Sequence, residues 1–248
     1  MNHQEWYIRA FEKWYPIIYR HRDSNEAREQ VEFACTELQL HKDSKVLDLC
    51  CGYGRHLEFL DKKVSFTVGL DLSIYLLNRA QDLNVHRISL VRGDVRYLPF
   101  FSYTFDAVLV FFTSFGYFKR HEENIQQLEQ ISYVLKNGGK FLFDYLNPLQ
   151  VQKIKDIETE KKYKSYVIKE NRCYNEKTKE LKKYVRIYLN DSKQEDSYTE
   201  IVKVYSLDEL IKMFSSNKLN IQRIYGSYQK DRYTDDSPRL IIIGSKHE

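Results

Sequence analysis

Hydrophobic residues between Lys45 and Asn147 occur in short continuous runs instead of alternating with polar residues. Five runs stand between segments of helical periodicity: KVLDLC, FTVGLDL, RISLVRGD, FDAVLVFF and KFLFDYLN. Strands that are apolar at nearly every position are typical of parallel strands covered on both faces. Because these strands alternate with helices, the pattern predicts an α/β fold with a doubly wound, mostly parallel sheet.

Two segments have a clear helical pattern. Residues Asn25–Leu38 place apolar side chains on one face, and Ser24 or Asn25 can cap the first turn. Residues Glu122–Lys136 carry the clearest buried stripe, and the Asn-Gly-Gly that follows is expected to end this helix in a left-handed conformation. Residues 1–24 are rich in aromatic and basic side chains and show no single period.

The pattern changes after Pro148, where apolar residues alternate only partially with charged ones. This predicts an antiparallel meander with one solvated face. Its three strands are expected at roughly Tyr163–Tyr174, Leu181–Asn190 and Tyr198–Tyr205. The α/β pattern resumes at Ser206, a suitable N-cap for the helix LDELIKMFSS. Two late strands follow, IQRIYGSY and RLIIIGSK, and bring the predicted sheet to seven strands.

These elements predict one α/β domain that a small insert interrupts. The domain would comprise residues 1–150 and 206–248, with an N-terminal cap over residues 1–40. Residues 151–205 would form the antiparallel β insert, which we expect to cover the site as a lid.

Composition and charge narrow the classes of function. The 248 residues include 39 Lys and Arg against 35 Asp and Glu, a net charge of +4 with both signs interspersed. A dedicated nucleic-acid binder has a larger basic excess, so no nucleic-acid partner is expected. The four cysteines have no metal-site or disulfide spacing, so no metal is expected. With no apolar leader or membrane span in the sequence, we expect a cytoplasmic monomer or homodimer without a membrane partner.

The candidate chemistry concentrates in VLDLCCGYGRH, residues 46–56. A buried strand ends there, a tight turn carries Gly52 and Gly54, and a helix is expected to begin at about Arg55. Glycine lets a ligand approach the backbone closely, and the start of a helix offers unpaired N–H groups. A turn of this kind at the carboxyl edge of an open sheet is where α/β proteins bind ligands.

Two further carboxylates end the next two strands. Asp71 follows FTVGL, where it can accept hydrogen bonds from both hydroxyls of a ribose. Asp94 lies in RGDVRYLPF, where it can receive the amino group of an adenine. Together with the Gly-rich turn they predict a bound nucleoside.

The turn itself indicates which nucleoside. A dinucleotide-binding turn has a third glycine, and this chain has Leu57 at that position. Asp48 precedes the turn, where it would repel a pyrophosphate and attract an ammonium group. S-adenosylmethionine joins an amino-acid tail to ribose and adenine and therefore suits the site better than a nicotinamide dinucleotide, which disfavours an oxidoreductase.

Residues 44–148 resemble the core of the class I S-adenosylmethionine-dependent methyltransferases. The five matching motifs are DLCCGYGRH, GLDLS, GDVRYLPF, FDAVLVFFTSFGYF and LKNGGKFLFD. YRHRD, VYSLDEL and DSPRLIIIGSK resemble a subgroup of small bacterial and archaeal methyltransferases with an antiparallel insert. The resemblance implies a Rossmann-like sheet, S-adenosylmethionine as the cofactor and S-adenosylhomocysteine as its product.

The resemblance also implies cofactor-binding residues. They are Tyr19, Asp48, Cys50, Cys51, Gly52, Gly54, Asp71, Leu72, Asp94, Val95 and Phe111. Asp48 and the backbone from Cys50 would hold the ammonium group, and Leu72 and Val95 would lie against the adenine. Tyr53 departs from the family, which often has threonine or a small residue there.

The acceptor side is less defined. Phe115, Tyr117, Tyr145 and Asn147 are expected to line the substrate pocket, because they follow the fourth and fifth strands at the same edge of the sheet. No catalytic group is fixed by a motif, and Tyr117, His21 and Asn147 are only weak candidates.

We expect a methyltransferase that acts on a small molecule at nitrogen or oxygen by direct displacement. Orientation of the reacting atoms supplies most of the rate enhancement in such a reaction. An RNA-directed methyltransferase and a non-catalytic S-adenosylmethionine-binding protein are the alternatives. The insert argues against RNA, because residues Val151–Glu200 carry 13 basic and 10 acidic residues, a balance of 13 − 10 = +3.

Overall fold

The computed structural model describes residues 6–83, 85, 87–189 and 194–247. The strands within these ranges are β1 Lys45–Leu49, β2 Phe66–Asp71, β3 Ile88–Arg92, β4 Phe105–Val110, β5 Leu135–Leu146, β6 Ile157–Lys162, β7 Tyr166–Asn175, β8 Glu180–Leu189, β9 Gln194–Lys203, β10 Leu219–Tyr225 and β11 Arg239–Lys246. The helices are α1 Trp6–Ala10, α2 Tyr15–Ile18, α3 Ser24–Glu37, α4 Leu57–Leu60, α5 Ile74–Gln81, α6 His121–Val134, α7 Pro148–Gln152 and α8 Leu207–Ser216.

Seven strands form the central sheet in the order β10-β11-β5-β4-β1-β2-β3. Strands β1 to β5 run parallel, whereas β11 is antiparallel to both β5 and β10. The predicted seven-stranded, mostly parallel α/β sheet is confirmed. The order reverses beside β1, where β4 lies on one side and β2 on the other, and this switch point is where open α/β sheets bind ligands.

Alternate residues of the central strands belong to two hydrophobic cores, one on each face of the sheet. In β4, Val108 and Val110 belong to one core, whereas Ala107 and Leu109 belong to the other. The first core also contains apolar residues of α6 and α8, and the second contains those of α3, α4 and α5. Helices therefore cover both faces, which explains why the strands are apolar at nearly every position.

Strands β6 to β9 form a separate antiparallel sheet, which we call the insert sheet. The three predicted strands correspond to β7, β8 and β9, but β6 was not predicted. Its residues, IETEKK, are mostly exposed and charged, so they lack the hydrophobic signal of a strand. Asn190, which the prediction placed at the end of the second strand, lies outside the described residues.

One face of the insert sheet packs on the N-terminal helices. Ile168, Val185 and Ile187 share a third hydrophobic core with Trp6 of α1 and Ile18 of α2. The first two helices are therefore held by the insert sheet, and this contact gives the N-terminal segment an order that its own periodicity does not predict.

Several helix boundaries differ from the prediction, among them the start of α4, which is Leu57 and not Arg55. Helix α3 begins one residue earlier than expected, because Asp23 is its N-cap and accepts a hydrogen bond from the Glu26 N–H at 2.9 Å. Helix α6 ends at Val134, because Leu135 already pairs with Phe105 in the sheet. Helix α8 has the expected Ser206 cap. No helix among the described residues is both long and apolar enough to cross a membrane.

Candidate functional site

A crevice lies at the carboxyl ends of β1, β2, β3 and β4. Six of the predicted cofactor-binding residues line this main crevice: Cys50, Gly52, Asp71, Leu72, Asp94 and Val95. A side pocket adjoins it, and the two cavities share Tyr15, Cys50, Gly52, Phe112 and Ser114. Tyr19, Cys51 and Phe111 line the side pocket. The structure therefore brings nine of the eleven predicted residues to one continuous surface.

The turn after β1 has a left-handed backbone at Cys50, Gly52 and Gly54, with φ of 64°, 58° and 83°. Gly52 lines both cavities, so its missing side chain leaves room for a ligand. Gly54, predicted to allow close approach of the ligand, lines neither cavity. A β-carbon there would lie 2.6 Å from Leu83 and 3.1 Å from Ala80, so this glycine lets the turn pack closely against the end of α5.

Asp71 connects the end of β2 to the Gly-rich turn. Its Oδ2 accepts a hydrogen bond from the Gly52 N–H at 2.9 Å, and its Oδ1 accepts one from the Ser73 N–H at 2.8 Å. Burial raises the pKa of Asp71 although these N–H donors oppose the shift. A carboxylate oxygen can accept more than one hydrogen bond, so Asp71 keeps capacity to bind a ligand hydroxyl in the crevice.

Asp94 is held by an arginine of its own loop. Arg96 donates from Nη2 to Asp94 Oδ2 at 2.6 Å and from Nε to Oδ1 at 3.0 Å, while its Nη1 donates to Glu123 Oε1 at 2.6 Å. Burial opposes ionisation, but the Arg96 hydrogen bonds outweigh it and lower the pKa of Asp94. Asp94 is thus an ionised and fixed hydrogen-bond acceptor at the end of the crevice beside the edge strand β3.

Asp48 lies beneath the turn and lines neither cavity. Its exposure is 1%, and its Oδ2 has no hydrogen-bond partner among the described residues. Burial and, secondarily, the charge of Asp71 raise the pKa of Asp48 to about 7, with Arg55 opposing the shift. An unpartnered buried carboxylate is costly, so this part of the fold favours a nearby positive charge.

The side pocket carries two arginines that surround one aromatic ring. The guanidinium carbons of Arg22 and Arg55 lie 4.0 Å and 4.6 Å from the centroid of the Phe112 ring. Arg55 is paired with Glu26 at 3.0 Å, whereas Arg22 forms no ion pair with any residue that the structure describes. Arg22 instead stacks on Tyr19 at 4.2 Å. Its guanidinium is suited to bind a carboxylate.

Phe111 forms a wall of the side pocket with His56. The two rings stack at a centroid distance of 3.9 Å, and His56 Nε2 lies 2.8 Å from Oε1 of Gln30. Burial and the nearby arginines hold the pKa of His56 well below its usual range, so the imidazole is neutral at pH 7. This histidine is held by its stack on Phe111 and by its hydrogen bond to Gln30.

The predicted acceptor residues are only partly in the cavities. Tyr117 lines the main crevice, where its ring packs 5.1 Å from Trp6 and 5.6 Å from Phe11. Phe115 and Tyr145 line neither cavity, because both side chains are fully buried in the core beneath the insert. The Tyr145 hydroxyl donates to the Lys203 carbonyl, so this residue joins the insert to the sheet.

Asn147 and His21 also lie outside both cavities. Asn147 caps α7: its Oδ1 accepts from the Leu149 N–H at 3.0 Å, and its Nδ2 donates to the Ser237 carbonyl at 2.8 Å. Tyr233 completes its hydrogen bonding, so Asn147 connects two loops and has no free group for an acceptor. His21 is exposed. Of the three weak catalytic candidates, only Tyr117 is placed where an acceptor could reach it.

Sequence reasoning missed several lining residues of the cavities. They are Tyr7, Phe11, Tyr15 and Phe112. The aromatic ones among residues 1–24 come to the crevice through packing on the insert sheet, a contact between residues far apart in the chain. The one available signal was their high aromatic content.

Comparison with known proteins places this geometry in context. Residues 46–139 match a family model described as a methyltransferase domain. The dTDP-3-amino-3,4,6-trideoxy-alpha-D-glucopyranose N,N-dimethyltransferase of Streptomyces venezuelae is 32% identical over 126 residues, which are 50% of this chain and 52% of that protein. The demethylmenaquinone methyltransferase of Staphylococcus saprophyticus is 33% identical over 108 residues, 42% and 45% of the two chains.

The structural likeness extends further than the sequence likeness. A crystal structure of an S-adenosylmethionine-dependent methyltransferase from Clostridium acetobutylicum has a TM-score of 0.79 at 19% identity, with 95% of this chain and 96% of that one covered. The insert and the N-terminal helices therefore belong to a shared fold. In sequence, the chain spans about half the length of the curated relatives it matches.

Proposed function

We propose that this chain, which belongs through its methyltransferase domain at residues 46–139 to the class I S-adenosylmethionine-dependent methyltransferases, methylates a small molecule. The methyl group would pass from S-adenosylmethionine to a nitrogen or oxygen of the acceptor by direct displacement. The observation that carries this proposal is the continuous surface that runs from Asp94, past Asp71 and Gly52, to Arg22 in the side pocket.

The residues along this surface fit the parts of the cofactor in order. Asp94 and Val95 would meet the adenine, and Asp71 would accept hydrogen bonds from the ribose. The amino-acid tail carries one positive and one negative charge. Among the described residues, Oδ2 of Asp48 nearby has no hydrogen-bond partner and the guanidinium of Arg22 has no ion-pair partner. The match of these two charges supports an amino-acid tail over a pyrophosphate.

The aromatic residues that line the crevice suit a reaction from which bulk water is excluded. Bound S-adenosylmethionine supplies a methyl group made reactive by a positively charged sulfur. Tyr15, Phe112 and Tyr117 line the crevice beside the turn, and aromatic faces stabilise a nearby cation by about 0.5–2 kcal/mol. These rings would also hold the acceptor close to the reacting methyl group and keep bulk water away, which makes positioning the main contribution of the protein.

The N-terminal helices cover the crevice, and this favours a small-molecule acceptor. Helices α1 and α2 lie over it and pack on the insert sheet, so a polymer would have to displace both. The name of the S. venezuelae relative describes a sugar-nucleotide acceptor, and we extend to this chain only the class of a small molecule. An RNA acceptor and a non-catalytic role stay as alternatives, and a cytoplasmic location stays a prediction.

Methyl transfer to defined acceptor classes tests the proposal. The protein is incubated with S-adenosylmethionine labelled at the methyl group and with amines, small hydroxyl compounds or total RNA. We expect label in a small-molecule fraction. Label in RNA that falls steeply with salt would favour the RNA alternative, because phosphate contacts are salt-dependent. Cofactor binding without transfer to any acceptor would favour the non-catalytic role.

Calorimetric binding of S-adenosylhomocysteine to a matched pair of variants tests the ribose contact. Asp71→Asn removes the charge at the crevice and is expected to weaken S-adenosylhomocysteine binding by about 1.5–3 kcal/mol, the range for a hydrogen bond to a charged group. Asp82→Asn makes the same change at an exposed residue after α5 and should leave calorimetric affinity unchanged. Equal affinity for the two variants would contradict the role of Asp71.

A further inference from the structure

Tyr19 contacts both the side pocket and the insert sheet. Its side chain lines the side pocket together with Arg22 and Gly52. Its hydroxyl donates to Glu200 Oε2 at 2.9 Å and accepts from Lys183 Nζ at 2.8 Å. The candidate cofactor site is therefore connected to β8 and β9 by one side chain.

The insert side of this contact is a buried cluster of charges. The Lys183 ammonium lies 3.0 Å from Glu170 Oε1 and 3.3 Å from Glu200 Oε1. The side chains of Lys183 and Glu170 are 7% and 2% exposed. Lys183 also stands opposite Glu200 in the pairing of β8 with β9, so the sheet fixes the distance between them. Buried charge clusters contribute little net stability, but they hold a defined geometry.

The geometry continues from Tyr19 to the binding groups. Arg22 stacks between the rings of Tyr19 and Phe112, at 4.2 Å and 4.0 Å. Hydrogen bonds at its hydroxyl hold the tyrosine side chain in one position, and its ring in turn restricts the guanidinium that stacks on it. Without that restraint both side chains have more rotamers to lose when a ligand binds, and lost rotamers reduce affinity.

We infer that Lys183 and Glu200 are positioning residues of the cofactor site and act through the hydroxyl of Tyr19. The inference rests on the proposed function, because it requires that the side pocket bind the amino-acid tail of the cofactor. The insert sheet thereby takes part in cofactor binding although Lys183 and Glu200 line neither cavity.

A second contact between the same elements provides the control. Asp196, on β9 like Glu200, accepts hydrogen bonds from Trp14 Nε1 at 3.0 Å and from Arg9 Nη2 at 3.3 Å. It ties the N-terminal segment to the insert sheet just as Glu200 does, but Trp14 and Arg9 line neither cavity. Loss of either carboxylate weakens the docking of the N-terminal helices, whereas only loss of Glu200 releases Tyr19.

The experiment compares Glu200→Gln with Asp196→Asn by calorimetric titration with S-adenosylhomocysteine. We expect Glu200→Gln to weaken binding about tenfold, or about 1.4 kcal/mol. Asp196→Asn should stay within about twofold of the unmodified protein, a span of less than 1 kcal/mol. In steady-state assays, Glu200→Gln should raise KM for S-adenosylmethionine and leave kcat nearly unchanged, because saturating cofactor restores the bound geometry.

Tyr19→Phe tests the route of the effect. It removes the hydroxyl, keeps the ring at the side pocket and leaves Lys183 paired with both glutamates. We expect it to weaken binding as much as Glu200→Gln does, and the double variant to be no weaker than either single one. This second variant also gives an answer if Glu200→Gln fails to fold.

Three results would overturn the inference. Equal weakening by Asp196→Asn and Glu200→Gln would show that general docking of the N-terminal helices is responsible. Additive losses in the double variant would show that Glu200 does not act through Tyr19. Unchanged affinity in Glu200→Gln and Tyr19→Phe, with normal binding by the unmodified protein, would remove the positioning role alone. If the unmodified protein does not bind S-adenosylhomocysteine, the proposed function fails first.

Discussion

Asp48 shows what a single buried charge does to the properties of this site. Its pKa is raised to about 7 by burial and by Asp71, whereas an aspartate in an unfolded chain titrates near pH 3.8. The folded protein therefore binds an extra proton between these values. Because protonation is linked to folding, the free energy of unfolding should fall as pH rises from about 4 to about 7.

The same carboxyl group is expected to make cofactor binding dependent on pH. The cationic ammonium of S-adenosylhomocysteine favours the ionised form of Asp48, so affinity should increase as pH rises through about 7 and level off above it. At one pH unit below the pKa, affinity is expected to be about tenfold lower than the limiting value. Calorimetry from pH 6 to pH 8.5 measures this dependence.

Asp48→Asn is the variant that isolates this effect. It cannot ionise, so its affinity should be lower at pH 8 and nearly constant across the range. A variant that keeps the full pH dependence would assign the titration to another group and would contradict the role of Asp48.

At the residue scale, the sequence pattern predicts where the strands end, but it does not predict whether a side chain there points to the crevice or to the core. Asp71 and Asp94 reach the crevice because the carboxyl ends of parallel strands meet at one edge, and a sequence pattern reveals those ends. Phe115 and Tyr145 follow or end strands at the same edge, yet they point into the core beneath the insert. Their orientation depends on how the insert packs, which no local pattern encodes.

The insert is attached to the core through an unusually close backbone contact at Gly116. This residue has φ of 85°, its carbonyl accepts from the Lys203 N–H at 2.7 Å, and a β-carbon there would lie 2.6 Å from the Lys203 carbonyl oxygen. The loop after β4 and strand β9 therefore touch at a position that only glycine allows.

Gly116→Ala should destabilise the protein by more than about 1–3 kcal/mol, the range for backbone strain alone, because the methyl group also meets the Lys203 carbonyl. Gly138→Ala is the matched control, since Gly138 has φ of 72° and open space around its α-carbon. Urea unfolding measures both. If the two variants lose equal stability, the contact with β9 contributes nothing beyond the conformation of the glycine.

At the element scale, hydrophobic periodicity predicted the strands of the central sheet and missed one strand of the insert. Strands β1, β2 and β4 are covered on both faces, so most of their residues are apolar. Strand β6 is exposed, and its glutamates and lysines resemble a loop. Strand β6 is recognised only through its pairing with β7. Such pairing depends on two segments, so the pattern of β6 by itself does not predict it.

For the molecule as a whole, ligand binding should appear as thermal stabilisation. S-adenosylhomocysteine at about 100 times its Kd adds about 2.7 kcal/mol to the free energy of unfolding, which raises Tm by about 5–10 °C for a chain of this size. Differential scanning fluorimetry measures the shift. A nicotinamide dinucleotide should give none, because Asp48 disfavours a pyrophosphate; an equal shift with both ligands would contradict the predicted selectivity.

The acceptor side is defined by the assembled molecule. Tyr7, Phe11 and Tyr15 reach the crevice because α1 and α2 pack on the insert sheet. The helices and the strands that they contact are far apart in sequence. The sequence motifs describe the cofactor half, which one continuous segment builds. The proposed acceptor half requires segments that are distant in sequence to come together, and the hydrophobic pattern within one segment does not reveal its contacts with another.

The hydrogen bonds between Tyr19 and the insert limit how this architecture can be re-engineered. A chimaera that receives a foreign insert without an acidic group in place of Glu200 would leave the host tyrosine hydroxyl without its acceptor. Helices α1 and α2 would therefore have to be grafted together with the transplanted sheet.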